Sequence, residues 1–171
     1  MDKHAGFTLL ELLVVLVVLG LALAAGSLFA ASAIASETMR GTLHDAGSLL
    51  QLARIEAVKR NHECRFAVDP TARTMSVIDT NGTSTTTDDQ VLRVRSIPRL
   101  VALARPDAGS PITFAPKGSS YVVDFDSDGY VNEGSGEMVL FGGARYGRLT
   151  VYAAGGVHYE KWNGSAWDLG S

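Results

Sequence analysis

Apolar residues fill the chain from Phe7 to Ala35, and the only charge in that run is Glu11. A run of this kind is long enough to span a bilayer, which takes about 20 apolar residues. Beyond it the apolar positions thin to a stripe. Met39, Leu43, Ala46, Leu50, Ala53 and Ala57 recur at steps of four and three, the spacing of one helix face. Arg40, His44, Asp45, Gln51, Arg54, Lys59 and Arg60 fall mostly off that face. No proline precedes Pro70, so both halves read as one helix from Phe7 to about Arg60. Gly41 and Gly47 weaken it by about 1 kcal/mol each relative to alanine. Lys59 and Arg60 suit the negative end of the helix dipole, and Asn61 is a fair stop.

From Glu63 the period changes from helix to strand. The alternation predicts strands over Glu63–Val68, Thr74–Asp79, Gln90–Ile97, Ile112–Phe114, Tyr121–Phe125, Glu137–Phe141, Leu149–Ala153 and Gly156–Trp162. Between them stand turn formers such as Asp69-Pro70, Asn81-Gly82, Pro116-Lys117-Gly118, Asp128-Gly129 and Gly155-Gly156. Thr80–Asp89 has no core-forming residue and reads as a mobile polar loop. The fold class is therefore α+β, a long N-terminal helix followed by antiparallel sheet. The parts are a short head at 1–6, a membrane-type helix at 7–35 and a soluble domain at 36–171. Within that domain the amphipathic helix covers 36–61 and the sheets 62–171.

The charged head Met-Asp-Lys-His-Ala-Gly precedes the apolar run. A secretory signal carries its small-residue cleavage site after the apolar stretch. Here Gly6 stands before it, so a cut between Gly6 and Phe7 keeps the helix in the mature chain. Lys3 lies on the N-terminal side and no Lys or Arg follows until Arg40, which predicts the N-terminus in and the C-terminal domain out. A charge near the middle of a spanning helix costs about 2.5–3.5 kcal/mol. An α-amino group freed at Phe7 is a fitting partner for Glu11, since two unit charges at 4 Å attract by about 4 kcal/mol at an effective dielectric of 20. Gly6-Phe7-Thr8-Leu9-Leu10-Glu11 resembles the prepilin motif of type IV pilins and type II secretion pseudopilins. The resemblance implies cleavage after Gly6 by a membrane prepilin peptidase, N-methylation of Phe7, and an assembly role for Glu11 against a neighbouring subunit's amine.

A second stretch, Leu52-Ala53-Arg54-Ile55-Glu56-Ala57-Val58-Lys59-Arg60-Asn61, is similar to the helix end of H-type minor pseudopilins and their FimT-like relatives. Ile112–Gly118, Gly147–Tyr152 and Gly155-Gly156-Val157 resemble that family's closing strands and glycine turn. The likeness touches the first and last thirds of the chain. It implies a type IV pilin-like fold, the helix packed on an antiparallel β-sandwich. It further implies a structural minor subunit of the type II secretion pseudopilus, placed near its tip, in the bacterial inner membrane with its domain in the periplasm. The implied partners are the major pseudopilin and the other minor pseudopilins. The alternative is a FimT-like minor pilin of type IV pili, active in pilus assembly or DNA uptake through a Gly-Arg-x-Arg-type segment. Here that segment is Gly147-Arg148-Leu149-Thr150, with the second Arg missing and Arg145 nearby.

Composition narrows the field. The net charge is −3 over 171 residues, with no block of like charge, which disfavours nucleic acid as a partner. Cys64 is the one cysteine, so no intramolecular disulfide forms. It alternates with Phe66 and Val68 and reads as a buried small hydrophobe, a reactive thiol being the other reading. Arg54 and Glu56 read as surface residues or an ion pair, with a motif-specific role the other reading. Asp124, Asp126 and Asp128 with Gly129 open like a calcium loop, but Ser135 stands where the bidentate acid belongs. A hairpin turn at Ser127-Asp128-Gly129 is the competing reading, and no other metal or cofactor is indicated. Tyr159, Trp162 and Trp167 are either core or hairpin clasp, or a contact for a neighbouring subunit. No enzyme motif and no paired histidine spacing is present, so the chain is not expected to be an enzyme.

Overall fold

The computed structural model describes residues 9–83 and 85–169, apart from the side chains of 24–29 and 169. One helix, α1, runs Leu9–Arg60 over 52 residues without a break. Asn61 ends it in the left-handed region at φ 56°, a conformation asparagine accepts more readily than most residues. The His62 amide then donates back to the Ala57 carbonyl at 3.3 Å, using one of the carbonyls a helix end leaves open.

Among the described residues eleven strands follow: β1 Cys64–Asp69, β2 Thr74–Asp79, β3 Gln90–Ser96, β4 Ala102–Leu103, β5 Ala115–Lys117, β6 Ser120–Phe125, β7 Val131–Glu133, β8 Gly136–Gly142, β9 Arg145–Val151, β10 Val157–Trp162 and β11 Trp167–Leu169. They form two antiparallel sheets. The first has the order β3-β2-β1-β6-β5, with β7 also paired to β6; the second has the order β11-β10-β9-β8-β4.

The helix stripe covers both sheets. Met39, Leu43, Ala46, Leu50, Ala53 and Ala57 are buried against Cys64, Phe66 and Val68 of β1, Met75 and Val77 of β2, Val123 and Phe125 of β6, and the β8–β9 residues Met138, Leu140, Leu149 and Val151. Phe66 and Phe114 meet edge to face at 6.3 Å. Each large side chain fully buried here contributes about 1.5–3 kcal/mol. Among the described residues every member of this core lies at or beyond Met39.

One expectation needs correction. Ile112–Phe114 is not a strand: Ile112 makes an isolated bridge to Met138, Phe114 enters the core, and pairing resumes at β5. The segment crosses from the second sheet to the first there, and a crossing chain keeps no ladder. Among the described residues Thr80–Asp89 contributes none to the core, as expected, although its first residue is buried. Thr80 is 1% exposed, and its hydroxyl donates to the Glu63 carbonyl at 2.6 Å.

Candidate functional site

Helix α1 changes character along its length. From Leu9 to Leu23 its large apolar side chains are all exposed, Leu9 at 84% and Val15 at 47%. Such a surface, apolar all round, is stable only under lipid or other apolar protein. Glu11 lies in its first turn. Gly6 and Phe7, the expected cleavage and methylation positions, lie outside the described residues, as do the head at 1–6 and the side chains of 24–29. Among the described residues no helix is long and apolar enough to cross a membrane.

Burial begins at Ala35 and Ser36. There the β8–β9 turn hooks the helix. The Ser36 hydroxyl lies 3.3 Å from the Gly142 carbonyl and 3.2 Å from that of Gly143, and the Ser32 hydroxyl donates to Gly143 at 3.0 Å. A side chain at Gly143 would run into the Ser32 carbonyl and the Ser36 backbone, and one at Gly142 would stand 2.6 Å from the Ala35 carbonyl. This hook fixes how the exposed half-helix leaves the domain.

Arg54 and Glu56 do not pair with each other. Arg54 reaches the Gly155 carbonyl at 3.5 Å and lies over Gly129, so it ties the β6–β7 turn to the β9–β10 turn. Glu56 accepts from Arg60 at 2.8 Å and from Lys59 at 3.3 Å. The Arg60 hydrogen bond outweighs burial and lowers its pKa. Arg60 also binds the buried Asp79, which fastens the helix end to β2.

Asp124 is not free for a cation in this arrangement. Both of its carboxylate oxygens accept from Arg65, at 2.6 and 2.8 Å. Arg65 and Asp124 are direct partners across β1 and β6 and are 6% and 2% exposed. Burial opposes the Arg65 charge, but the hydrogen bond and charge of Asp124 outweigh it and hold the guanidinium above its usual range. Burial, aided by the Asp124 charge, raises the neighbouring Glu63. Asp126 accepts the Asp128 and Tyr130 amides at 3.0 and 2.9 Å. With Gly129 at φ 78°, this shapes the turn between β6 and β7.

The second sheet carries a chain of charges on its outer face. Arg105 pairs with Glu137, Glu137 with Arg148 at 3.1 Å, and Arg148 with Glu160 at 2.6 Å. The Arg148 guanidinium also lies 4.4 Å from the Trp167 ring centre, a cation–π contact. Trp162 and Trp167 meet at 5.3 Å across β10 and β11 and act as a hairpin clasp. Arg148 is therefore occupied, whereas Arg145 lines an open groove of about 560 Å³ with Arg40, His44, Tyr146, Tyr159 and Trp162. Tyr159 packs on His44 at 5.1 Å, over Gly47, where a side chain would displace its hydroxyl. Sequence reasoning missed the Gly142-Gly143 hook, whose signal was a glycine pair facing Ser32 and Ser36. It also missed the Arg65–Asp124 pair, for which the sequence carries no local signal.

Residues 44–155 match the family described as type II transport protein GspH. Residues 1–27 match the prokaryotic N-terminal methylation motif. No curated protein matches the chain. Two solved structures are similar. The minor pseudopilin EpsH from the type 2 secretion system of Vibrio cholerae is 14% identical over 71% of this chain and 94% of its own, with a TM-score of 0.49. The type IV minor pilin FimU of Pseudomonas aeruginosa strain PAO1 is 14% identical over 78% and 94%, with a TM-score of 0.48.

Proposed function

The chain belongs to the type II transport protein GspH family, and from that premise we propose that it is a minor subunit of the type II secretion pseudopilus, built in near the tip. The family is structural and assembles with other pseudopilins, and the methylation motif implies processing by the prepilin peptidase and anchoring in a membrane. The observation that carries the proposal is the division of α1. The C-terminal half packs one face on the sheets, and from Leu9 to Leu23 the helix presents apolar side chains and Glu11 to its surroundings. That stretch needs lipid before assembly and neighbouring helices after it.

The work of the subunit follows from this division. Before assembly the anchor lies in the inner membrane and the domain in the periplasm. Cleavage between Gly6 and Phe7 creates the amine, and Glu11 of one subunit meets the amine of the next. The hook at Gly142-Gly143 transmits the position of the helix to the sheets, whose outer faces contact the major pseudopilin and the other minor pseudopilins. Export of folded proteins across the outer membrane depends on that assembly.

Glu11→Ala tests the proposal. It should insert into the membrane at least as well as the parent chain, because a charge costing about 2.5–3.5 kcal/mol in lipid is gone. Its incorporation into the filament should fall, read as the fraction in sheared filaments against the membrane pool. Normal incorporation together with normal secretion would defeat the assignment of Glu11 to assembly.

A further inference from the structure

His62, Cys64 and Asp79 converge where α1 ends. Cys64 and Asp79 are direct partners across β1 and β2, so their side chains stand together on the face turned toward the helix. Both are 0% exposed. Asn61, in its left-handed conformation, turns the chain so that His62 comes back over them. His62 Nδ1 lies 3.4 Å from Asp79 Oδ1, and the imidazole nitrogen, thiol sulfur and carboxylate oxygen all lie within 4.8 Å of one another. Among the described residues no other group of His, Cys, Asp and Glu gathers in this way.

The ion pair with Arg60 accounts for part of this cluster. Arg60 Nη1 takes Asp79 Oδ2, the Asn81 amide donates to Oδ1 at 2.9 Å, and His62 Nδ1 lies 3.2 Å from the Glu63 carbonyl. None of these contacts calls for a thiol and an imidazole against the same carboxylate. Sulfur, imidazole nitrogen and one carboxylate oxygen are the donor set of zinc. Calcium and magnesium take oxygen donors and are poorly served here.

We propose that an unprotonated ring nitrogen of His62, Cys64 Sγ and Asp79 Oδ1 form a three-ligand site for one Zn²⁺ ion, with water as the fourth ligand. His62 is partly exposed, its side chain 26% accessible, and is the route by which the ion enters. Arg60 keeps its hold on Oδ2, so the helix end stays fastened in both states. Burial first, then the Asp79 charge, pushes the Cys64 thiol up to about 11, so the metal-free protein holds a protonated sulfur. Coordination forms the Zn–S bond and breaks the S–H bond, and the proton passes to solvent. The ion joins the turn after α1 to the β1–β2 pair and stabilises the domain by mass action.

The test uses the full chain, untagged, in detergent, with Co²⁺ as a spectroscopic stand-in and Zn²⁺ as competitor. Co²⁺ should give a sulfur-to-metal charge-transfer band that one equivalent of Zn²⁺ bleaches, and Zn²⁺ should raise the melting temperature. Cys64→Ala should lose the charge-transfer band. His62→Ala, at a partly exposed position, should fold normally and bind Zn²⁺ at least about tenfold more weakly. No charge-transfer band and no thermal shift in the parent chain would overturn the proposal. So would a His62→Ala protein that binds Zn²⁺ as tightly as the parent.

Discussion

Arg65→Ala is expected to lower the unfolding free energy of the domain by about 3–5 kcal/mol, the usual loss when one partner of a buried ion pair is removed. Asp124 would be left 2% exposed with two carboxylate oxygens that now accept from nothing as close as Arg65 at 2.6 and 2.8 Å. Lys117, at 3.9 Å and on an exposed side chain, is too weakly placed to replace it. A domain of this kind has about 5–15 kcal/mol in total, so the variant stands near the edge of folding. Denaturant melts of residues 31–171, which contain the whole core, give the number. Arg65→Met with Asp124→Leu should recover most of the loss, because no buried charge then lacks a partner. A loss below about 1 kcal/mol for Arg65→Ala would be the value of a surface pair and would contradict the buried-pair account.

Gly143→Ala should cost about 1–3 kcal/mol more than Gly118→Ala. Both glycines have left-handed backbones, at φ 59° and 62°, so both substitutions carry the same conformational penalty of about 1–2 kcal/mol. Nothing lies within 4 Å of an added Cβ at Gly118, whereas at Gly143 it meets the Ser32 carbonyl and the Ser36 backbone. The difference between the two variants is therefore the overpacking term alone. Helix backbone does not yield as a flexible side chain does, so relief must come from the hook opening. Loss of the Ser32 and Ser36 hydrogen bonds would then loosen the angle between α1 and the sheets. Equal melting curves for the two variants would show that the close approach at the neck has no energetic weight.

The contrast between these sites explains what could be read in the sequence. The helix stripe from Met39 to Ala57 was legible because burial on one face imposes a period that local sequence records. Thr74–Asp79 was legible for the same reason, since β2 alternates buried and partly exposed along its length. Arg65 was not. A charged residue between Cys64 and Phe66 looks like the solvent side of a half-buried strand. β1 is nevertheless buried at both faces, and its outer face is closed by Asp89, Lys117 and Asp124 from other parts of the chain, with the adjacent Glu63. The short strands β4, β5, β7 and β11 span only two or three residues, and their state is decided by the partner they meet. Arg54 and Glu56 sit two apart in one motif, yet a helix points positions so spaced in different directions, and each has its own partner. Gly6, Phe7 and Glu11 lie in the stretch that matches the N-terminal methylation motif, and of the three only Glu11 falls within the described structure.

The proposed role of this chain is that of a structural subunit assembled among other pseudopilins. Purification of the full-length processed protein from cross-linked membranes of its own cells, followed by identification of what accompanies it, tests that claim directly. The major pseudopilin and the other minor pseudopilins should accompany the parent protein, and should be depleted when Glu11→Ala replaces it. Recovery of the protein alone, or with type IV pilus subunits in place of pseudopilins, would contradict it.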